Sequence, residues 1–235
     1  MQETKRYILC TRPLAKDIIL EAAKRNVVIE ELSFIDTYPI ETKDVTDRVK
    51  ELAGQECTVV FTSMNAVEAV AAQVKDGVNW KVYCIGNTTK KLIEERLSSV
   101  IIIATGENAE RLAERLVDDG VKKAVFFCGN IRRDELPNKI RSDGGAVEEV
   151  IVYQTIEKPS AVTKEYDGIL FFSPSAVNSF FKSNKIPLRT ELFAIGKTTA
   201  DTLRKYANKK IIVAIVTGKQ ELVQHAIDYF NKENK

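Results

Sequence analysis

Two stretches of this sequence share a residue spacing that suits an anionic ligand. Tyr83-Cys84-Ile85-Gly86-Asn87-Thr88-Thr89-Lys90 and Phe193-Ala194-Ile195-Gly196-Lys197-Thr198-Thr199-Ala200 each read as a buried strand, a glycine turn and a hydroxyl-rich helix start. Glycine permits a sharp turn and a close approach of backbone to ligand. The threonines that follow are expected to cap the orphan amides of the next helix. Those amides stand at the positive end of a helix dipole, where an anion is favoured. Ordinary capping explains one such turn as well as ligand binding does, but duplication favours function. Ser63 and Ser173 lie 110 positions apart (173 − 63), and so do Gly86 and Gly196 (196 − 86). Two equal offsets mark an internal repeat.

Other residues could add chemistry to these turns. Arg12 follows the first strand and precedes Pro13, where it either reaches a cleft or pairs with a helix at the surface. Arg132 occupies the corresponding turn of the second half, after Cys128-Gly129-Asn130. Tyr153 lies in an extended run; its ring suits packing, while its hydroxyl could serve as a weak acid. Lys197 invites a P-loop reading, but Glu191 stands where that motif needs a glycine. Cys10, Cys57, Cys84 and Cys128 are widely spaced, and His225, the only histidine, reads as a surface residue of the last helix. A metal site is therefore not expected, and the thiols read as free. No Ser-His-Asp, Cys-His or close carboxylate pair is visible, so any catalysis should rest on positioning and hydrogen bonds.

The elements that must hold these residues alternate. The first strand, Tyr7 to Cys10, leads to Pro13, which suits a first helical position, with Leu14, Ile18 and Ala22 at helical spacing. An extended run from Val27 to Ile40 carries Pro39, which argues for an edge or a linker. Strands then read at 58–61, 82–85, 100–104, 124–128, 150–155, 169–172, 193–195 and 211–216, with helical spacing after most of them. The last five residues read as a polar tail. Strands alternating with helices imply α/β architecture with parallel sheets covered on both faces, five strands to each repeat. Ligands of such doubly wound sheets sit beyond the carboxyl ends of the strands, and two domains with facing turns would form one cleft. With 35 basic and 33 acidic residues the chain gives no reason to invoke nucleic acid. The start has no apolar stretch of signal-peptide type, and the longest apolar runs are far too short to span a bilayer, so a cytoplasmic protein without membrane contact is expected.

Thr11-Arg12-Pro13, Phe61-Thr62-Ser63-Met64-Asn65-Ala66-Val67, Ile85-Gly86-Asn87-Thr88-Thr89, Cys128-Gly129-Asn130, Val152-Tyr153-Gln154-Thr155, Phe172-Ser173-Pro174-Ser175-Ala176-Val177 and Ile195-Gly196-Lys197-Thr198-Thr199, in that order, resemble the uroporphyrinogen-III synthase family. The resemblance implies two flavodoxin-like domains joined by a two-stranded β linker. One domain would combine residues 1–36 with 158–235, the other would span 40–153, and the linker strands would lie near 30–41 and 148–159. It also implies a cofactor-independent cyclising dehydratase, which closes the linear tetrapyrrole hydroxymethylbilane to uroporphyrinogen III with loss of water and inversion of ring D. By the same resemblance Tyr153 is the candidate proton donor, with Thr89 and Thr199 at the active cleft. The substrate's eight carboxylates would be held by Arg12, Ser63, Asn65, Gly86, Asn87, Thr88, Cys128, Gly129, Asn130, Arg132, Ser173, Ser175, Gly196, Lys197 and Thr198. One departure is Ser63-Met64-Asn65 where the repeat has Ser173-Pro174-Ser175. A monomer is expected by analogy, with a transient contact to the upstream deaminase. The rival reading is a non-catalytic two-lobed binding protein for a small anionic ligand, which turnover would exclude.

Overall fold

Most strands of this chain feed a helix that returns over its sheet. The computed structural model describes residues 5–74, 77–97, 99–215 and 218–233. The elements run β1 (Arg6–Cys10), α1 (Lys16–Lys24), β2 (Val27–Glu31), β3 (Ile35–Pro39), α2 (Lys43–Ala53), β4 (Cys57–Phe61), α3 (Met64–Ala71), β5 (Trp80–Ile85), α4 (Gly86–Arg96) and β6 (Ile101–Gly106). They continue α5 (Ala109–Asp118), β7 (Lys123–Gly129), α6 (Glu135–Ser142), β8 (Ala146–Glu157), β9 (Gly168–Phe171), α7 (Pro174–Phe181), β10 (Glu191–Ala194), α8 (Lys197–Arg204), β11 (Ile211–Val213) and α9 (Lys219–Glu233).

Two sheets result, ordered β11-β10-β9-β1-β2 and β3-β8-β7-β4-β5-β6. The pairings within the first sheet are parallel, as are those from β8 through β7, β4 and β5 to β6 in the second. Contacts divide the chain into two compact units, Met1–Asp36 with Ile156–Lys235 as unit 1, and Thr37–Thr155 as unit 2. Parallel strands buried on both faces need apolar residues on both, and β1 shows the alternation. Ile8 and Cys10 pack with Phe193 and Phe230 on one face, while Leu9 packs with Phe171 and Phe180 on the other. In unit 2, Phe61 stacks on Phe127 at 5.4 Å on the face covered by α2, α3 and α4. Val60, Tyr83 and Phe126 meet α5 and α6 on the opposite face. No helix among the described residues is long and apolar enough to cross a membrane.

Several elements differ from the sequence reading. The extended run from Val27 to Ile40 is two strands in different sheets, parted at Leu32-Ser33-Phe34. Pro39 does lie on an edge strand, where a missing N–H costs no ladder bond. Helix α1 begins at Lys16, so Pro13 precedes it rather than opening it. Helix α2 was absent from the sequence reading altogether; its buried residues are Val49 and Leu52, with Val45 packed beside them. Strand β11 is shorter than the run 211–216, of which Val216 lies outside the described residues, as do Met1–Thr4, Thr217, Asn234 and Lys235. The tail from Asn231 continues α9 as far as Glu233.

Candidate active site

Strand β8 carries the phenol. Its pairing with β7 slips at one point, from Cys128↔Ile151 to Gly129↔Tyr153. A residue inserted opposite a regular strand turns the next side chain to a new face. Val152 and Tyr153 accordingly both join the core cluster on the α2–α4 face, although neighbours on a regular strand point to opposite sides. Tyr153 is 9% exposed. Burial pushes its phenol above the usual tyrosine value, a hydrogen bond with Ser63 opposes that rise, and Cys128 adds to it. The phenol is therefore protonated at neutral pH and able to donate. Ser63 stands at the start of α3, where its Oγ accepts from the Ala66 amide at 3.2 Å. Cys128 is buried, its thiol pushed up to about 11, first by burial.

The rest of this strand end is mixed. Asn130 is exposed, but its side chain is fixed: the Thr155 amide donates to Oδ1 at 2.7 Å, and Nδ2 donates to the Thr155 carbonyl at 3.3 Å. Arg132 pairs with Glu149, which also takes Arg141 at 2.7 Å, and stands 3.8 Å from Asp134. Arg132 foremost, then Arg141, holds the Glu149 carboxyl below the usual carboxylate range. Asn65, Asn87 and Thr88 are exposed, while Thr89 is buried.

In unit 1 the corresponding strand ends gather cations. Arg12 is half-buried, with its guanidinium carbon 6.0 Å from the centroid of the Phe172 ring. Among the described residues no carboxylate pairs with it, and burial lowers its pKa. Lys219, the first residue of α9, has its pKa lowered by burial and then by the charge of Arg12. Its sequence signal is slight: a single glycine, Gly218, precedes it at the start of the last helix. Lys197 is exposed at the first position of α8, Thr198 is half-buried and Thr199 buried. Ser173 caps α7 through the Ala176 amide at 3.2 Å and contacts the Ser175 hydroxyl at 3.1 Å. His225 is half-buried, with its ring 6.5 Å from that of Phe193, and is not a surface residue of α9.

The expected threonine caps do not form. The cap positions of α4 and α8 belong to Ile85 and Gly196, and neither helix has a side-chain cap. Thr88, Thr89, Thr198 and Thr199 sit inside the first turns, beyond the position from which a hydroxyl can accept a first-turn amide. Ser63, Asn108 and Ser173 do cap their helices from that position, whereas Thr42 and Asp134, at the starts of α2 and α6, do not. Gly86 has φ +70, a conformation that favours glycine, whereas Gly196 is extended at φ −175. The starts of α4 and α8 therefore leave their first-turn amides free of side-chain caps. Each can hold a carboxylate, and the buried phenol of unit 2 can donate one proton.

Comparison with known proteins agrees with this chemistry. The family model for uroporphyrinogen-III synthase HemD matches residues 17–224. An uncharacterized protein of Rickettsia prowazekii (strain Madrid E) is 25% identical over 188 residues, covering 78% of this chain but 63% of that protein. The uroporphyrinogen-III synthase of Saccharomyces cerevisiae is 31% identical over 198 residues, 68% of this chain and 70% of the yeast protein. Among solved structures, a mutant uroporphyrinogen III synthase of the extremely thermophilic bacterium Thermus thermophilus superposes with a TM-score of 0.70 over 98% of this chain and 100% of that one. At 15% identity that likeness establishes the α/β fold with parallel sheets. From the family match and the yeast relative together, the chain belongs to the uroporphyrinogen-III synthase (HemD) family.

Proposed function

We propose that this chain closes hydroxymethylbilane to uroporphyrinogen III, releasing water and inverting ring D, as a cofactor-free monomer built from two flavodoxin-like domains. Family membership supports the activity. The strand order β11-β10-β9-β1-β2 supports the domain type, because with the strands of unit 1 taken in chain order it is the 2-1-3-4-5 arrangement of that fold. The paired β3 and β8, at the two places where the chain passes between its units, support a two-stranded linker.

The observation that carries the chemistry is the buried, protonated phenol of Tyr153, seated against Gly129. Tyr153 gives a proton to the departing hydroxyl, which leaves as water and creates an electrophilic azafulvene. Ring D attacks through its substituted carbon, and the spiro intermediate fragments and recloses inverted. The proton released from ring D at final closure balances the one donated. Nothing is oxidised or reduced. Arg12, Lys197 and the helix starts at Gly86 and Gly196 grip carboxylates, so that folding of the linear chain, rather than a strong nucleophile, selects the reacting carbon.

Isomer analysis tests this reading. Hydroxymethylbilane, generated freshly by the preceding deaminase, closes unaided to the type I ring without inversion. With this protein present, oxidised products separated by chromatography should be mostly type III. Type I alone, from folded protein, would overturn the enzyme and leave a two-lobed anion binder.

A further inference from the structure

The surroundings of Gly129 and Asn130 fit a role toward Tyr153 better than contact with a ligand. Gly129 is buried opposite Tyr153 in the β7–β8 ladder. A Cβ built on it would lie 2.5 Å from Cζ of Tyr153, 2.6 Å from Cε2 and 2.8 Å from the phenol oxygen. Those distances are far inside van der Waals contact, and an aromatic ring cannot bend away as a flexible chain would. Gly129 is not among the glycines with positive φ. Its backbone would accept any residue, so the ring alone requires glycine.

Asn130 completes the seat. Its amide donates to the Tyr153 carbonyl at 3.1 Å. Its side chain then takes both backbone groups of Thr155, accepting at 2.7 Å and donating at 3.3 Å. A side-chain amide thus stands in for a peptide group and continues the ladder past the slipped register. Tyr153 is held from both sides at the point where the regular pairing fails.

We infer that Gly129 and Asn130 are positioning residues that act through Tyr153, Gly129 by leaving the space its ring occupies and Asn130 by clamping the backbone that aims it. This inference rests on the reading of Tyr153 as the proton donor. The reaction depends on the placement of one hydroxyl, and misplacement of about 1 Å is enough to cost on the order of a hundredfold in rate.

The test is a mutant cycle on the full chain, with kcat and KM measured for type III formation and folding followed by thermal unfolding. Tyr153→Phe should lower kcat at least about tenfold, as loss of a general acid does. Gly129→Ala should lower kcat by a similar factor with KM within about twofold, because the ring is displaced and carboxylate binding is not. In the Tyr153→Phe background, Gly129→Ala should lower kcat no further if it acts only through the missing hydroxyl. Asn130→Ala, a change at an exposed residue that keeps the fold, should cost a few-fold in kcat, again absent beside Tyr153→Phe. Losses that multiply in either double variant, or full turnover by both Gly129→Ala and Asn130→Ala, would overturn the positioning role while leaving the tyrosine's role standing. Full turnover by Tyr153→Phe would remove both.

Discussion

The turn after β1 and the turn after β7 occupy the same place in two copies of one fold pattern, yet they have come to do different things. After β1, Arg12 lies over Phe172 without a carboxylate partner among the described residues, beside a second cation at Lys219. After β7, the arginine at Arg132 is committed to Glu149, and the turn instead opens a space for the Tyr153 ring. A guanidinium already bound to a carboxylate has little left to offer a ligand, whereas a half-buried one without a partner gains strongly from an incoming anion. On the proposed reading of Tyr153 and Arg12, the repeat has kept the strand–turn frame and divided the labour, charge in unit 1 and proton donation in unit 2.

Exchanging the arginines for alanine tests that division most severely. Arg12→Ala should raise KM roughly tenfold to a hundredfold, the loss of one charge-assisted carboxylate contact of about 1.5–3 kcal/mol, with kcat nearly unchanged. Arg132→Ala should leave KM within about threefold and lower stability instead, because Glu149 keeps Arg141 alone. Steady-state kinetics with urea unfolding would separate the two, and equal effects on KM would erase the distinction.

The paired glycines make a smaller contrast. Gly86→Ala places a side chain at φ +70, with open space around it, and should cost about 1–2 kcal/mol through the backbone alone. Gly196→Ala meets no such conformational cost at φ −175. Comparable destabilisation of both variants by thermal unfolding would contradict this.

The capping serines should differ least in stability. Ser63→Ala and Ser173→Ala each remove a cap and should each cost about 1 kcal/mol. Only Ser63→Ala also removes a hydroxyl that acts on Tyr153. That hydroxyl holds the phenol's pKa down against burial, so its loss raises the pKa further and leaves the phenol protonated at neutral pH. A lower kcat for Ser63→Ala alone, without a shift of its neutral-pH plateau, is the expected signature.

How much of this was legible before folding depends on which signal each feature leaves. The strands and their turns show because glycine, serine and proline punctuate apolar runs, and the 110-residue repeat shows because chain order survives divergence. Helix α2 was missed although Val45, Val49, Leu52 and Ala53 stand at i, i+4, i+7 and i+8, because most of Lys43–Ala53 is polar and no apolar run marks it as the strands are marked. The threonine caps were expected from composition, but capping depends on which residue takes the cap position, and Ile85 and Gly196 took it. Arg12 and Arg132 look equivalent in sequence; only the approach of Glu149 from β8 parts them. The clearance between Gly129 and Tyr153 leaves no one-dimensional signal, since 24 residues separate them (153 − 129) and a register slip brings them together.

The way the chain is divided between its units also sets an order of events during synthesis. Unit 2 is continuous from Thr37 to Thr155, so it is synthesised before β9 exists. Unit 1 begins with β1 and β2, whose next partner is β9, with Ile8 pairing to Gly168 across 160 residues (168 − 8). Until then the apolar faces of β1 and β2 have no sheet to join. The first-made strands are thus the last to be covered, and long-range pairing of this kind is slow and prone to aggregation while it waits. A nascent chain halted with Thr155 just outside the exit tunnel should carry a folded unit 2 behind an N-terminal segment still open to proteases and chaperones.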